Sequence, residues 1–298
     1  MPRTGEKTRA TAIVPARPFL LGLIGAHIGL SRSPALHQGA AADLGMACVY
    51  RLVDLDPAGL DATALPDLLT AAERFGFDGL NVTFPCKQAV IPHLHELSPH
   101  ALALGAVNTV VLKDGKRTGH NTDWFGYAAA FGAEMPDADL SEVVQFGAGG
   151  AGSAVAYALL TMGAGRLGIV EADATRAEAL ARQLGATFDP ARVVVATDPE
   201  AAVARASGIV NATPVGMAKY PGTPFPPTWL TARQWVSEIV YFPLETELLR
   251  VARALGCRII DGSGMNVHQA AEAFRLFTGL APDIAHMRRL FDAAGDAE

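Results

Sequence analysis

The chain has 298 residues, of which 50% are hydrophobic and 18% are charged, so it can bury one large core or two modest ones. Its net charge of −6 argues against a general nucleic-acid or anionic-membrane binder, which normally needs a basic surface. Three widely spaced cysteines without a CxxC pair favour a reducing cytoplasm. No apolar run reaches the ~18 residues that a membrane helix requires. We therefore expect a cytoplasmic protein whose partner is a small molecule.

The first part of the chain alternates predicted strands and helices. Residues 1–17 are basic but lack an apolar signal core, so we expect a flexible tail rather than a targeting segment. Strands are predicted at FLLGLIG, VYRLVDL and FDGLNVT, and helices over 31–44 and 66–75. The pair Asp114-Gly115 between AVNTVVL and RTGHN is a strong hairpin signal.

A second pattern begins at Glu142, where a short apolar strand runs into a glycine-rich turn and an alanine-rich helix. Four further apolar segments, LGIVEAD, RVVVAT, GIVNAT and WVSEIVY, are separated by helix-sized spacers, which is typical of a parallel sheet. Helices are predicted over 264–278 and 282–294. The fold class is therefore α/β.

The glycine-rich turn has the spacing of a dinucleotide-binding fingerprint. Gly147, Gly149 and Gly152 satisfy G-x-G-x-x-G directly after a predicted strand and at the start of a helix. The first glycine permits a tight turn, the second lets the backbone approach a pyrophosphate, and the third allows close helix packing. Three glycines can also serve turns alone, but the strand and helix context favours dinucleotide binding.

Glu171 indicates which dinucleotide is bound. It ends the next predicted strand, 19 residues past Gly152, where a carboxylate can bind the adenosine ribose hydroxyls. A carboxylate there repels the 2′-phosphate of NADP, and the first cation after it, Arg176, comes only after Asp173. NAD is therefore favoured over NADP, with Arg176 either solvated or flanking the adenine.

Candidate chemical groups outside the glycine-rich region occur in short polar segments that end predicted strands or begin helices. Ligand sites collect at such positions in α/β sheets. Each segment also has a structural explanation as a helix cap or a turn. The candidates are Ser31, Arg32, Ser33, Asn81, Thr83, Lys87, Asn108, Asn121, Thr122 and Asp123.

Lys87 is a lone cation in the apolar segment GLNVTFPCKQAV. Hydride transfer to NAD needs a partner that takes or gives a proton, and a lysine can do both. The structural alternative is a lysine on a helix surface. The neighbouring Cys86 is expected to fill space, because no histidine lies at a motif spacing from it. The histidines lack metal-ligand company, so no metal site is expected.

Seven segments, taken together and in order, resemble the shikimate dehydrogenase family over about residues 21–279. The nearest likeness is to its NAD-dependent quinate/shikimate branch, because Glu171-Ala172-Asp173 replaces the Asn-Arg-Thr type of segment of NADP-dependent members. The segments are GLIG…SRSPALH, GLNVTFPCK, LGAVNTVV, GHNTDWFG, FGAGGAG, NATPVGM and GMNVHQAAEAF.

The resemblance implies a domain plan. An N-terminal α/β substrate domain, residues 18–124 completed by C-terminal helices in 262–298, would pair with a Rossmann NAD-binding domain, residues 125–261. The active site would lie in the cleft between them. A homodimer is an open alternative to a monomer.

The resemblance also implies roles for residues. Lys87 and Asp123 would be the catalytic pair. The substrate carboxylate would be held by Ser31 and Ser33 with help from Tyr241. Ring hydroxyls would be bound by Thr83, Asn108 and Gln269. The cofactor would contact Gly147, Ala148, Gly149, Gly150, Ala151, Gly152, Glu171, Asp173, Arg176, Thr213, Met217, Gly264 and Met265.

The implied reaction is reversible oxidation of the C3 hydroxyl of shikimate, quinate or both. Quinate-using members often have threonine where this chain has Ser33, whereas shikimate-specific members usually have serine. Because the shikimate-type Ser33 is combined here with the NAD-type segment at Glu171, we expect both substrates to be used. Alternatives are an NADP-dependent biosynthetic enzyme, an aminoshikimate-type enzyme, and a sensor that binds quinate or shikimate without turnover. Retention of Lys87, Asp123 and the glycine fingerprint argues against the sensor.

Overall fold

The computed structural model describes residues 17–295, which form two six-stranded sheets. The strands of the first sheet are β1 (Phe19–Gly25), β2 (Cys48–Asp54), β3 (Gly79–Val82), β4 (Glu96–Leu97), β5 (Thr109–Lys113) and β6 (Lys116–His120). The helices in this part are α1 (Ser33–Asp43), α2 (Leu65–Arg74), α3 (Cys86–Ala89), α4 (Pro99–Leu104) and α5 (Asp123–Glu134).

The second sheet is built from the strands β7 (Glu142–Phe146), β8 (Arg166–Val170), β9 (Val193–Val195), β10 (Gly208–Asn211), β11 (Trp235–Glu238) and β12 (Arg258–Ile260). Its helices are α6 (Gly150–Thr161), α7 (Ala174–Gly185), α8 (Pro199–Arg205) and α9 (Glu247–Leu255). Two helices end the chain, α10 (Ser263–Thr278) and α11 (Ile284–Gly295).

The second sheet is parallel throughout, in the order β12-β11-β10-β7-β8-β9. This is the strand order of a doubly wound Rossmann sheet, which binds a dinucleotide where the order reverses, here between β7 and β10. Successive residues of β7 face opposite sides: Val143 packs with α5, α6 and α7, and Val144 packs with α8 and α9. The α/β fold class and the Rossmann sheet predicted from the sequence are confirmed.

The first sheet is mixed, in the order β2-β1-β3-β5-β6-β4. Apolar side chains from β1 and β3 pack on one face against α2, α3 and α4. On the other face Leu21 and Tyr50 pack with Phe277 of α10, and α10 packs with α1 and α11. The C-terminal helices therefore complete the core of the N-terminal sheet.

The local predictions mostly agree with these elements. The hairpin between β5 and β6 turns at Asp114 and Gly115, both with positive φ, as a two-residue primed turn requires. The helix predicted over 31–44 begins instead at Ser33, because the Ser31 N–H bonds to the Ile28 carbonyl and closes a turn, and Arg32 is the N-cap. The short strands β4 and β12 were missed, since segments of two and three residues carry too little periodicity.

Residues 1–16, the greater part of the predicted tail, lie outside the described residues, so the tail stays a prediction. The domain boundaries at 124/125 and 261/262 also stay predictions. Within residues 17–295, no helix is both long and apolar enough to cross a bilayer.

Gly126 lets α5 and α10 approach at backbone distance. A Cβ at Gly126 would lie 2.5 Å from the Met265 carbonyl oxygen and 2.7 Å from the Gln269 backbone nitrogen. We expect Gly126→Ala to lower the free energy of unfolding by about 1–3 kcal/mol, because backbone atoms cannot yield as a side chain can. Urea unfolding measures the change.

Gly132 in the same helix is the matched control, since no atom lies within 4 Å of an added Cβ there. Gly132→Ala should leave stability unchanged or raise it by up to about 1 kcal/mol, because alanine favours the helix. Equal urea midpoints for the two variants would show that the close α5–α10 contact at Gly126 does not contribute to stability.

Candidate active site

A cleft of about 1190 Å³ lies between the two sheets, at the carboxyl ends of β1, β3, β7 and β10. The structure brings together at this cleft all of the predicted catalytic and substrate-binding residues: Ser31, Ser33, Thr83, Lys87, Asn108, Asp123, Tyr241 and Gln269. Most of the predicted cofactor residues also line it: Gly147, Gly149, Gly150, Ala151, Glu171, Arg176, Thr213, Met217 and Met265.

The remaining four predicted cofactor residues do not line the cleft. Gly152 packs against the turn, since an added Cβ would lie 2.5 Å from the Gly147 carbonyl oxygen. Asp173 caps α7 by accepting hydrogen bonds from the backbone of Thr175 and Arg176. Two further positions, Ala148 and Gly264, are also absent from the cleft lining. The direct cofactor contacts expected of these residues stay predictions.

Lys87 and Asp123 form an ion pair in the cleft. The Lys87 Nζ lies 2.5 Å from the Asp123 Oδ2, and the side chains are 23% and 11% exposed. Lys87 reaches the cleft from the short helix α3, directly after the strand β3 and the turn through Pro85. Asp123 is the first residue of α5, where a carboxylate is stabilised by the helix dipole. A proton-transfer group and its charged partner are thus held together, partly shielded from water.

Asn108 orients Asp123. Its Nδ2 donates to the Asp123 Oδ1 at 2.9 Å and to the Thr122 Oγ1 at 2.9 Å. Its Oδ1 accepts from the Thr122 backbone N–H at 2.7 Å. The Asp123 backbone N–H in turn donates to the Asn121 Oδ1 at 3.0 Å. These bonds leave the Asp123 Oδ2 directed at Lys87.

The hydroxyls of Ser31 and Ser33 lie together at the start of α1. Ser31 Oγ donates to Ser33 Oγ at 3.1 Å and accepts from the Ser33 backbone N–H at 3.3 Å. Ser33 therefore bonds to Ser31 and does not cap the helix, whose N-cap position is Arg32. Two hydroxyls at a helix N-terminus suit a bound anion. Tyr241, 41% exposed, lines the same cleft with its ring against Phe291 of α11.

The glycine-rich turn has the shape that a bound pyrophosphate needs. Gly147 has a φ of 98°, a left-handed conformation that favours glycine. Added Cβ atoms at Gly149 and Gly150 would meet nothing within 4 Å, so the backbone faces open space at the start of α6. The turn is braced from below by the buried Gln145, whose Nε2 donates to the carbonyls of Gly147 and Gly152, both at 2.8 Å.

Glu171 is fixed beside this turn. Its Oε2 accepts from the Ala148 backbone N–H at 2.9 Å, and its Oε1 accepts from the Asp173 backbone N–H at 3.2 Å. The carboxylate lies at the end of β8 and lines the cleft, as a group that binds ribose hydroxyls must. Arg176 is exposed and lies 3.4 Å from Asp173 through its Nε. The residues present therefore fit a dinucleotide.

Comparison with known proteins decides the family. The substrate-binding domain model of shikimate dehydrogenase matches residues 23–110, and the C-terminal domain model of shikimate 5′-dehydrogenase matches residues 262–290. The shikimate dehydrogenase (NADP(+)) of Streptomyces avermitilis is 55% identical over 93% of this chain and 95% of its own. The chain belongs to the shikimate dehydrogenase family.

Other family members are named for NAD. The quinate/shikimate dehydrogenase (NAD(+)) of Corynebacterium efficiens is 50% identical over 92% of this chain and 97% of its own. The solved quinate dehydrogenase of Corynebacterium glutamicum in complex with NAD has a TM-score of 0.89 and 48% identity, covering 93% of this chain and 99% of that one. The family resemblance inferred from the sequence is thus confirmed.

Two buried polar residues behind the cleft, Gln145 and Glu238, were not predicted from the sequence, whereas Arg32 was among the candidates. Arg32 lines the cleft between the two serines, and its guanidinium carbon lies 4.4 Å from the centre of the Phe291 ring. Gln145 and Glu238 lie in β7 and β11, within sequence segments that are otherwise apolar. The only available signal was the presence of a polar residue in a strand expected to be buried on both faces. Cys86 is fully buried, which agrees with the space-filling role expected for it.

Glu238 is a buried acid at the carboxyl end of β11, only 1% exposed. It accepts hydrogen bonds from Asn211, Val240 and Thr246. Burial raises the pKa of Glu238 to about 7, although these hydrogen bonds favour the charged form. Its ionisation in the folded protein is therefore costly.

The raised pKa of Glu238 gives a pH dependence of stability with a definite sign. Below about pH 4.5, the ordinary pKa of a glutamate, the carboxyl is protonated in both the folded and the unfolded protein. The stability that the protonated carboxyl contributes is lost as the pH rises through about 7, the pKa of Glu238 in the folded protein. Between pH 5 and pH 8, the unfolding free energy of the wild type should fall by roughly 2 kcal/mol relative to Glu238→Gln, which does not titrate. Chemical unfolding at both pH values measures this. A constant difference would show that the pKa of Glu238 is not raised.

Proposed function

We propose that this family member catalyses the reversible, NAD-dependent oxidation of the C3 hydroxyl of shikimate, quinate or both. The observation that carries the proposal is the Lys87–Asp123 pair, 2.5 Å apart. It lies in a cleft that also exposes the glycine-rich turn and the serine pair. The printed names of the Corynebacterium relatives support the same reaction.

The substrate carboxylate is assigned to the serine pair. Ser31 and Ser33 present two hydroxyls at the N-terminus of α1, and Tyr241, which lines the same cleft, adds a third. Hydroxyl donors and a helix dipole stabilise a carboxylate without the full desolvation of a buried cation. Thr83, Asn108 and Gln269 are assigned to the ring hydroxyls, with Asn108 also orienting Asp123.

The proton is assigned to Lys87. NAD, when bound, would supply the acceptor for the hydride that leaves the carbon bearing the hydroxyl. In that direction the neutral amine of Lys87 takes the hydroxyl proton and becomes ammonium, and in the reverse direction the ammonium returns a proton to the carbonyl oxygen. Its ammonium form also stabilises negative charge developing on that oxygen. Asp123 holds the amine in place through the 2.5 Å contact.

The cofactor is assigned as NAD because Glu171 presents a carboxylate where NADP would carry a phosphate. An opposing observation is the 55% identity to a relative named for NADP(+), so NADP-dependent shikimate oxidation is the second candidate. Backbone groups of the glycine-rich turn would hold the pyrophosphate. Thr213, Met217 and Met265 would line the nicotinamide half of the site.

We also propose the division into a substrate domain, residues 18–124 with 262–298, and a Rossmann domain, residues 125–261. Packing of α10 and α11 on the first sheet supports the first part. A cytoplasmic location is proposed because Cys48, Cys86 and Cys257 are all free thiols, as a reducing compartment favours.

Replacement of Lys87 tests the proton-transfer assignment. Lys87→Ala should lower kcat for shikimate oxidation by about two to four decades, with KM changed much less. The substitution removes the proton-transfer group and leaves Ser31 and Ser33, which are assigned to the substrate carboxylate, in place. Initial rates of NADH formation measure the change. Lys116→Ala is the control, since the Lys116 side chain is 61% exposed on the hairpin. Turnover of Lys87→Ala within threefold of wild type would contradict the assignment.

Glu171 is tested by a matrix of shikimate and quinate against NAD and NADP. The wild type should prefer NAD over NADP by at least about tenfold in kcat/KM, and Glu171→Ser should narrow that ratio, because the carboxylate no longer repels the 2′-phosphate. A preference for NADP in the wild type would favour the second candidate. Ligand binding without NADH or NADPH formation in all four mixtures would favour the sensor.

A further inference from the structure

We propose that Glu238 is a positioning residue that holds the nicotinamide side of the cofactor site, an inference that rests on the proposed function. Glu238 ends β11, the strand beside β10, whose carboxyl end leads into the cleft segment 212–217. Its carboxylate lies behind that segment and is not among the cleft-lining groups. It therefore acts through other residues.

Asn211 is the first of these. Its Nδ2 donates to Glu238 Oε1 at 3.0 Å and Oε2 at 2.9 Å, and also to the Val215 carbonyl at 2.8 Å. Its Oδ1 accepts from the backbone N–H of Thr213 at 3.0 Å and from the Thr213 hydroxyl at 2.7 Å. Asn211 thus joins Glu238 to two residues that line the cleft.

The chemistry of a carboxylate fixes the direction of these bonds. At pH 8, the pH at which binding is compared below, Glu238 lies above its raised pKa of about 7 and is largely ionised. An ionised carboxylate can only accept hydrogen bonds, so it permits a single orientation of the Asn211 amide, with nitrogen towards Glu238 and oxygen towards Thr213. An amide in place of Glu238 could donate or accept and would tolerate either orientation. The charge therefore specifies the loop conformation as well as contributing hydrogen bonds.

Glu238 also holds the segment that follows its own strand. Its Oε1 accepts from the Val240 backbone N–H at 3.0 Å, immediately before Tyr241 in the cleft wall. Its Oε2 accepts from the Thr246 hydroxyl at 3.1 Å. Gly216, with a φ of 109°, passes close by: a Cβ there would lie 3.6 Å from Glu238 Oε2. Two cleft segments from different strands therefore meet on one carboxylate.

A purely structural role does not account for an acid here. A buried carboxyl costs more free energy to desolvate than an apolar side chain of similar size, and packing alone would be served better by the latter. Its hydrogen-bond partners are Asn211, which in turn binds the segment 212–217, the Val240 backbone beside Tyr241, and Thr246, the N-cap of α9. The desolvation cost of Glu238 is explained if its role is to fix the conformation of the two cleft segments.

The test separates the two halves of the cofactor. ADP-ribose contains the adenosine and pyrophosphate parts of NAD but lacks nicotinamide, so it reports on the glycine-rich turn and Glu171 alone. We expect Glu238→Gln to weaken NAD binding by about tenfold and to lower kcat. The Asn211 amide would no longer be held in a single orientation, and the segment 212–217 that it binds would lose its fixed conformation. ADP-ribose binding should stay within about twofold of wild type. Isothermal titration calorimetry at pH 8 measures both affinities.

Glu247→Gln is the matched control, since it makes the same chemical change one residue after Thr246, on a side chain that is 49% exposed. It should leave both affinities unchanged. Glu238→Asp keeps a carboxylate one methylene shorter and should give an intermediate loss of NAD affinity. If Glu238→Gln does not fold, the NAD and ADP-ribose affinities of Glu238→Asp test the inference instead.

The outcomes distinguish this inference from the proposed function. Equal loss of NAD and ADP-ribose affinity would indicate a general structural role and overturn the inference. Unchanged NAD affinity and kcat in both Glu238 variants would overturn it as well. Absence of NAD binding by the wild type would instead overturn the proposed function, and this inference with it.

Discussion

The backbone contact between α5 and α10 is the constraint on which the rest of the structure depends. Gly126 lets the helices approach so closely that a single added methyl group would collide with the backbone of Met265 and Gln269. Asp123 lies one turn before Gly126 on α5, and Met265 and Gln269 both line the cleft. The same contact that joins the C-terminal helices to the fold therefore brings Asp123, the partner of Lys87, to the residues of α10 that line the cleft.

The two sheets solve a common problem in different ways. Polar groups are needed in the cleft, but each one withdrawn from water must find a hydrogen-bond partner. Around Asp123 the partners are side-chain amides and hydroxyls from neighbouring strand ends, with Asn108 at the centre. In the Rossmann sheet the partners are loop backbones, gathered by Gln145 and by Glu238. In both places a buried polar residue orients groups that face the cleft.

The solvent exposure of the ionisable groups at the site differs, and their roles differ with it. Lys87 is partly open to the cleft, so its amine can reach a ligand while Asp123 holds it. Glu238 is closed to solvent and fully occupied by protein donors, so it can shape the site but cannot touch a substrate. Glu171 lies between these cases, bonded to the backbone on one side and facing the cleft on the other.

The sequence by itself determined the α/β class, the glycine fingerprint, the hairpin at Asp114 and the set of polar segments at strand ends. These follow from local periodicity and from short motifs, which need no knowledge of distant contacts. Motif order also identified the family. Such patterns predicted that Lys87 and Asp123 would meet, although 36 residues separate them.

Only the tertiary structure decided which polar groups bond to which. Asn108 was expected to bind a ring hydroxyl and is found orienting Asp123, while Asp173 is found capping α7. Glu238 could not be recognised, because its partners come from β10, its own loop and α9, and a strand sequence records none of them. Periodicity reports which face of an element is buried. Long-range packing determines what a buried polar atom meets there, and hence what it can do.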